Sequence, residues 1–234
     1  MSYARYPLIS EDLAMRTIAA IYTGVALVKP LSDQLKSALP GYRVMNILDD
    51  SLIAEIIAEG HLTASVRRRL YSYYDAAASA GAELILNTCS SIGEAVYAAR
   101  DFIPVPIVRI DEAMARKAVA EASRVAVLAT LSTTLDPTIS LVQRCAAEAG
   151  KKVVTISAVA EGAFPAITAG DTATHDRLVA ETAAKVAADC DVILLAQGSM
   201  ARMEAPLREI TGKTVYSSPA LAIEMVRRML EGKN

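Results

Sequence analysis

The sequence predicts an α/β protein of two pseudo-symmetric, doubly wound lobes with parallel sheets, and three observations predict it. Short apolar runs are near-continuous in Ile, Val, Leu and Ala rather than alternating, the mark of strands buried on both faces. Between them lie longer segments with a helical period, giving the βαβα order of a parallel sheet covered on both sides. The plan then repeats: strands near residues 17, 43 and 83 are answered near 124, 152 and 191, with an offset of about 107 residues for the first and third. In such a protein the strand C-termini face a shared cleft, and ligands bind there.

The expected strands are 17–23, 43–49, 82–87, 107–110, 124–130, 152–157 and 191–196, with a short one at 214–216. The expected helices are 62–80, 91–100, 111–122, 135–150, 172–189 and 219–231. Gly81 and Gly150 sit where a helix should stop before a strand, and Asp171 and Thr172 can cap the helix that follows. Residues 101–106, with two prolines, read as the connection between halves. The first lobe is expected over 1–105 plus 217–234 and the second over 106–216.

The 234 residues suit two lobes of about 100 residues each. A hydrophobic fraction of 53% supplies buried parallel strands, and Trp is absent. The formal net charge is −2 with acids and bases interspersed, which argues against a nucleic-acid groove or a membrane-surface patch. No apolar run reaches the roughly 20 residues that cross a bilayer, and residues 1–12 lack the pattern of a signal peptide. Three Cys without a CxxC spacing give neither a disulfide framework nor a zinc site. The expected compartment is the cytoplasm, and the expected partner is a small molecule or another copy of the chain.

The residues past each strand carry the chemistry. The first half offers Tyr22-Thr23-Gly24, Asp49-Asp50-Ser51 and Asn87-Thr88-Cys89-Ser90-Ser91. The second offers Thr130-Leu131-Ser132-Thr133-Thr134, Ser157 and Gln197-Gly198-Ser199-Met200. These loops are rich in hydroxyls and precede helices, a combination that favours a bound carboxylate or another small anion. Cys89 lies where a strand passes into a helix, a position that stabilises a thiolate able to act as nucleophile or proton acceptor. Cys145 and Cys190 read as packing residues. His61 and His175 lack a metal-ligand spacing and read as surface or loop residues. Asp49 and Asp50 suit either a direct role or the cap of the next helix. Arg67, Arg68 and Arg69 read as a solvated helix face. Neither GxGxxG nor GxxxxGK[ST] is present, so neither nucleotide fingerprint applies.

With these residues in view the chain resembles the aspartate/glutamate/hydantoin racemase superfamily over about residues 17–230. The carriers are Asn87-Thr88-Cys89-Ser90-Ser91, Val127-Leu128-Ala129-Thr130 with Thr133, the run from Asp191 to Gly198, and the segment from Ala169 to Asp176. The resemblance implies an enzyme without metal or cofactor, a site in the cleft between two lobes, a small carboxylate substrate and a homo-oligomer. It places Cys89 at the first-half cysteine position. Thr23, Asn87, Ser90, Ser91, Thr130, Ser132, Thr133, Gly198 and Ser199 become expected substrate-binding residues. The chain departs from the pattern at three points. Gln197 stands at the second-half cysteine position, Ser199 replaces the histidine that follows it, and Tyr22 stands in place of the acid that glutamate racemases carry after the first strand. An amide is no proton-transfer group, but it can donate a hydrogen bond to a developing oxyanion. The expectation is proton transfer beside a carboxylate or hydantoin carbonyl, with Cys89, Tyr22 and Gln197 as catalytic residues. A one-cysteine decarboxylase or lyase, a covalent cis-trans isomerase of a dicarboxylate, and a non-catalytic binding protein are the alternatives.

Overall fold

The computed structural model describes residues 15–232. Strands β1 (Arg16–Tyr22), β2 (Tyr42–Leu48), β3 (Ala82–Asn87) and β4 (Ile107–Arg109) form one sheet in the order β2-β1-β3-β4. Strands β5 (Arg124–Ala129), β6 (Val154–Val159), β7 (Val192–Leu195) and β8 (Thr214–Ser217) form a second in the order β6-β5-β7-β8. All pairings are parallel. The two orders are the same, so the repeat read from strand spacing is a repeat of topology.

The helices are α1 (Val25–Ala38), α2 (Ser51–Glu59), α3 (Ala64–Ser79), α4 (Glu94–Ala99), α5 (Glu112–Glu121), α6 (Ser132–Glu148), α7 (Ala163–Thr168), α8 (Thr172–Ala187), α9 (Glu204–Thr211) and α10 (Ser218–Leu230). Two 3-10 turns, Ser90–Ile92 and Gly198–Met203, follow β3 and β7. Helices α1, α2, α7 and α9 have no bounded counterpart in the sequence expectation, which anticipates a helix after Asp50 without giving its range. Helix α1 is obscured by Pro30, and α2, α7 and α9 are too short to establish a period. Gly81 and Gly150 adopt positive φ just past α3 and α6, and the Asp171 carboxylate accepts from the Thr174 N–H at 2.9 Å.

Each central strand buries both faces because both sets of alternating residues are apolar. From β1, Ala19 and Ile21 pack with Leu70 and Tyr74 of α3, while Ile18, Ala20 and Tyr22 pack with Leu31 and Leu35 of α1 and with Val226 of α10. From β5, Val125 and Val127 meet Val142 of α6, while Ala126 and Leu128 meet Val179 of α8 and Leu207 of α9. Strands β2 and β6 are edges and are more exposed.

Two expectations are corrected. Strand β4 pairs with β3, so the first sheet extends through residue 109 and the boundary at 105–106 would sever a strand pair. Residues 101–106 lead from α4 into β4 and stay with the first sheet; the chain crosses to β5 through α5. The C-terminal helix does return to the first sheet, where Ala222 and Val226 are buried.

Candidate active site

The loops after β1, β3, β5 and β7 converge on a cavity of about 170 Å³ between the two sheets. Of the expected site residues, Thr23, Cys89, Ser90, Ser91, Gln197, Gly198 and Ser199 line it. Thr88, Thr134, Leu27, Ile53, Ile110, Leu131 and Phe164 line it as well. Among these, Thr88, Leu131 and Thr134 stand in the loops singled out in the sequence. Phe164 comes from α7, an element with no sequence signal.

Cys89 is the extended residue (φ −128°, ψ 124°) that caps the 3-10 turn Ser90–Ile92. Its thiol is half-buried and free. The helix expected at 91–100 is only this turn followed by α4, so no long helix dipole stands behind the thiol. A buried polar scaffold holds the loop instead. The Tyr74 hydroxyl donates to Asn87 Oδ1 at 2.8 Å, and Asn87 Nδ2 donates to the Cys89 carbonyl at 3.0 Å. Asn87 is wholly buried beneath the loop and does not line the cavity, which makes it a support for Cys89 rather than a ligand contact.

Below the turn lies Arg109, also wholly buried. Its guanidinium grips Asp111 bidentately at 3.0 and 2.9 Å and reaches Glu94 and the Tyr97 hydroxyl, both at 3.3 Å. Burial opposes its charge, but the Asp111 carboxylate more than offsets this and raises its pKa above the ordinary arginine value. A Cβ on Gly93 would lie 2.4 Å from the Arg109 Cζ, so glycine is required for the turn to rest on the guanidinium. The Arg-x-Asp spacing at the end of β4 was the available sequence signal for this pair.

Gln197 caps the second 3-10 turn in nearly the same conformation as Cys89 (φ −127°, ψ 138°). Its Oε1 accepts from the Thr130 N–H at 2.6 Å and from the Thr130 hydroxyl at 2.9 Å. A backbone N–H can only donate, so the atom facing it must be the amide oxygen, and Nε2 is left as the donor available to a ligand. Thr130 therefore orients Gln197 from behind and does not line the cavity. Two side-chain bonds join the lobes here. Ser90 Oγ donates to the Ala196 carbonyl at 3.3 Å, and the Ser91 and Thr134 hydroxyls share a hydrogen bond of 3.0 Å.

Several expected residues lie elsewhere. Tyr22 has no exposed surface, and its hydroxyl has no hydrogen-bond partner. Strand alternation turns it into the α1–α10 core, and Thr23 is the residue that reaches the cavity. Burial pushes the Tyr22 phenol far above its ordinary pKa, so it is no acid/base near neutrality. Ser132 is exposed in the first turn of α6, and Thr133 lines a separate cavity of about 360 Å³ with His61 and Arg67. His175, expected at the surface, is wholly buried in the first turn of α8; its Nδ1 lies 2.8 Å from Asp176 and 3.1 Å from Arg202. The Asp49 carboxylate accepts from Ser51, Tyr73 and Arg69, a structural cluster rather than a cleft acid. Arg69 pairs with Asp49 and Glu55, so it is not part of a purely solvated face. Among the described residues no three His, Cys, Asp or Glu side chains gather to hold a metal ion, and no helix is long and apolar enough to cross a membrane.

The family model described as Asp/Glu/Hydantoin racemase matches residues 19–226. No curated protein sequence matches the chain. Among solved structures, a glutamate racemase from Bacillus anthracis superposes with a TM-score of 0.72 at 15% identity, over 94% of this chain and 83% of that one. An allantoin racemase from Klebsiella pneumoniae gives 0.66 at 17% identity, over 92% and 88%. An arylmalonate decarboxylase gives 0.61 at 19% identity, over 93% and 94%. At these identities the structural likeness carries the fold alone.

Proposed function

The chain belongs to the Asp/Glu/hydantoin racemase family, and from that premise we propose that it is an isomerase-type enzyme moving a proton at the carbon beside a carboxylate or an equivalent carbonyl. The observation that carries this reading is that Cys89 and Gln197 line one cavity from opposite lobes, with the Gln197 amide nitrogen turned free by Thr130. The Cys89 thiolate takes the α-proton. The electron pair of the broken C–H bond moves into the carbonyl, and the developing oxyanion accepts a hydrogen bond from Gln197 Nε2. The Cys89 thiol then returns the proton to the delocalised system. The step as written calls for neither metal nor cofactor.

An amide opposite the thiol cannot deliver a proton, so a symmetric two-thiol racemisation does not fit this pair. One-base chemistry does. That same asymmetry supports a second reading, loss of CO₂ followed by protonation from Cys89. Incubation in D₂O with α-substituted carboxylates, hydantoins and 2-substituted malonates, followed by NMR, tests both. The expected result is deuterium at the α-carbon, reduced by about 10³-fold in Cys89→Ala. Release of CO₂ would favour the second reading, and exchange that survives in Cys89→Ala would exclude the thiol.

A further inference from the structure

Resting on that reading, the cavity also defines what kind of acid enters it. None of the described residues lining it is Asp, Glu, Lys, Arg or His; Cys89 is its single titratable group. Three of its seven side-chain hydroxyl and amide donors are already used within the protein. The Thr88 hydroxyl donates to the Ile21 carbonyl at 2.8 Å, Ser90 Oγ to Ala196, and one proton of the Ser91–Thr134 pair is used within the pair. What remains is Thr23, one hydroxyl of that pair, Ser199 and Gln197 Nε2, a set that serves one carboxylate as it becomes an enediolate.

The rest of the wall is apolar. Leu27, Ile53, Leu131 and Phe164 line the cavity and are only half-buried. Ile53, Leu131 and Phe164 stand outside all four core clusters, so packing of the fold does not account for them. A second carboxylate or an ammonium set against this wall would lose its hydration and gain no counter-charge. An apolar substituent would instead remove the exposed faces of these side chains from water. The room suffices, since an engineered cavity of about 150 Å³ takes benzene.

We infer that the substrate is a monoanion carrying an apolar substituent on the reacting carbon, with no second charge of either sign. Three ligands on one skeleton test this. They are 4-methylpentanoate, leucine, which adds an ammonium, and succinate, in which a carboxylate replaces the isopropyl group. The readout is protection of Cys89 from iodoacetamide, followed by mass spectrometry, with buried Cys145 and Cys190 as internal controls. 4-Methylpentanoate is expected to protect at concentrations at least tenfold below those of succinate and leucine, and Phe164→Ala is expected to narrow that gap. Equal or better protection by succinate or leucine, or protection by none of the three, overturns the inference. Protection needs no turnover. A selective site with no deuterium exchange would therefore sink the proton-transfer reading and leave this one standing.

Discussion

Cys89 and Gln197 occupy the same place in the two halves of the molecule. Each follows the third strand of its lobe, each caps a 3-10 turn, and their backbone angles agree within about 15°. The helices after the first strands match as well, with Pro30 and Pro137 each the sixth residue of its helix. What differs is the support. The thiol loop rests on buried polar groups: Tyr74, Asn87, Arg109 and Asp111. The amide loop is tied down at its backbone, by Arg202 to the Ser199 carbonyl at 3.0 Å and by Ser90 to the Ala196 carbonyl at 3.3 Å, while the Gln197 side chain itself is aimed only through Oε1, with both bonds coming from Thr130. A repeated fold carries one thiol on a firmly fixed loop and, at the matching place, one amide side chain aimed lightly.

The largest expected effect comes from breaking the firm side. In Gly93→Ala the new methyl would meet three guanidinium atoms of Arg109 at 2.4 to 2.6 Å. Arg109 cannot swing away without abandoning Asp111 in a site with no exposed surface. Overpacking and a disrupted buried ion pair together cost about 4 kcal/mol. Urea unfolding should register that loss, whereas the same change at Gly24, with open space around its Cα, should cost far less.

Next comes the charge of the lightly held side. Gln197→Glu keeps an oxygen for Thr130 to bond but replaces the Nε2 donor with a second, anionic oxygen. A ligand carboxylate would then face a carboxylate. Activity is expected to fall by about 10²–10³-fold, or about 3–4 kcal/mol, with little change in melting temperature. Unchanged activity would show that Gln197 plays no part in stabilising the oxyanion. Asn87→Ala is expected to do the reverse. It leaves the Tyr74 hydroxyl and the Cys89 carbonyl without their partner in a buried setting, for about 2 kcal/mol of stability. The pair of variants separates fixing a loop from binding a charge.

These residues also mark how far the sequence could be read. The buried central strands announced themselves through continuous apolar runs, and the loops after β3 and β7 through their hydroxyls and small residues. The face of a doubly buried strand did not, because Ile21 and Tyr22 are both apolar enough for a core and nothing local says which side meets the cleft. The resemblance puts Tyr22 at the place of an acid after the first strand, and nothing in the local pattern opposes that placement. His175 misled for a related reason: its polar neighbours describe the outside of α8, while the ring itself points inward. Phe164 was invisible because a single aromatic on a six-residue helix carries no period. Arg109 was legible only as part of a pair whose partner lies two residues on, past the strand end.

The smallest expected effect asks whether the aim of Gln197 depends on one bond or two. Thr130→Val removes the hydroxyl donor at 2.9 Å and preserves shape, while the backbone N–H at 2.6 Å is untouched. The N–H alone still demands an oxygen opposite it, so the amide should keep its orientation with a wider swing. Losing one neutral hydrogen bond is worth about 1 kcal/mol, or about fivefold in the exchange rate. A loss approaching that of Gln197→Glu would mean that the hydroxyl, not the backbone, sets the direction of Nε2. The weight of the second lobe would then rest on a side chain any hydroxyl-to-methyl change could remove.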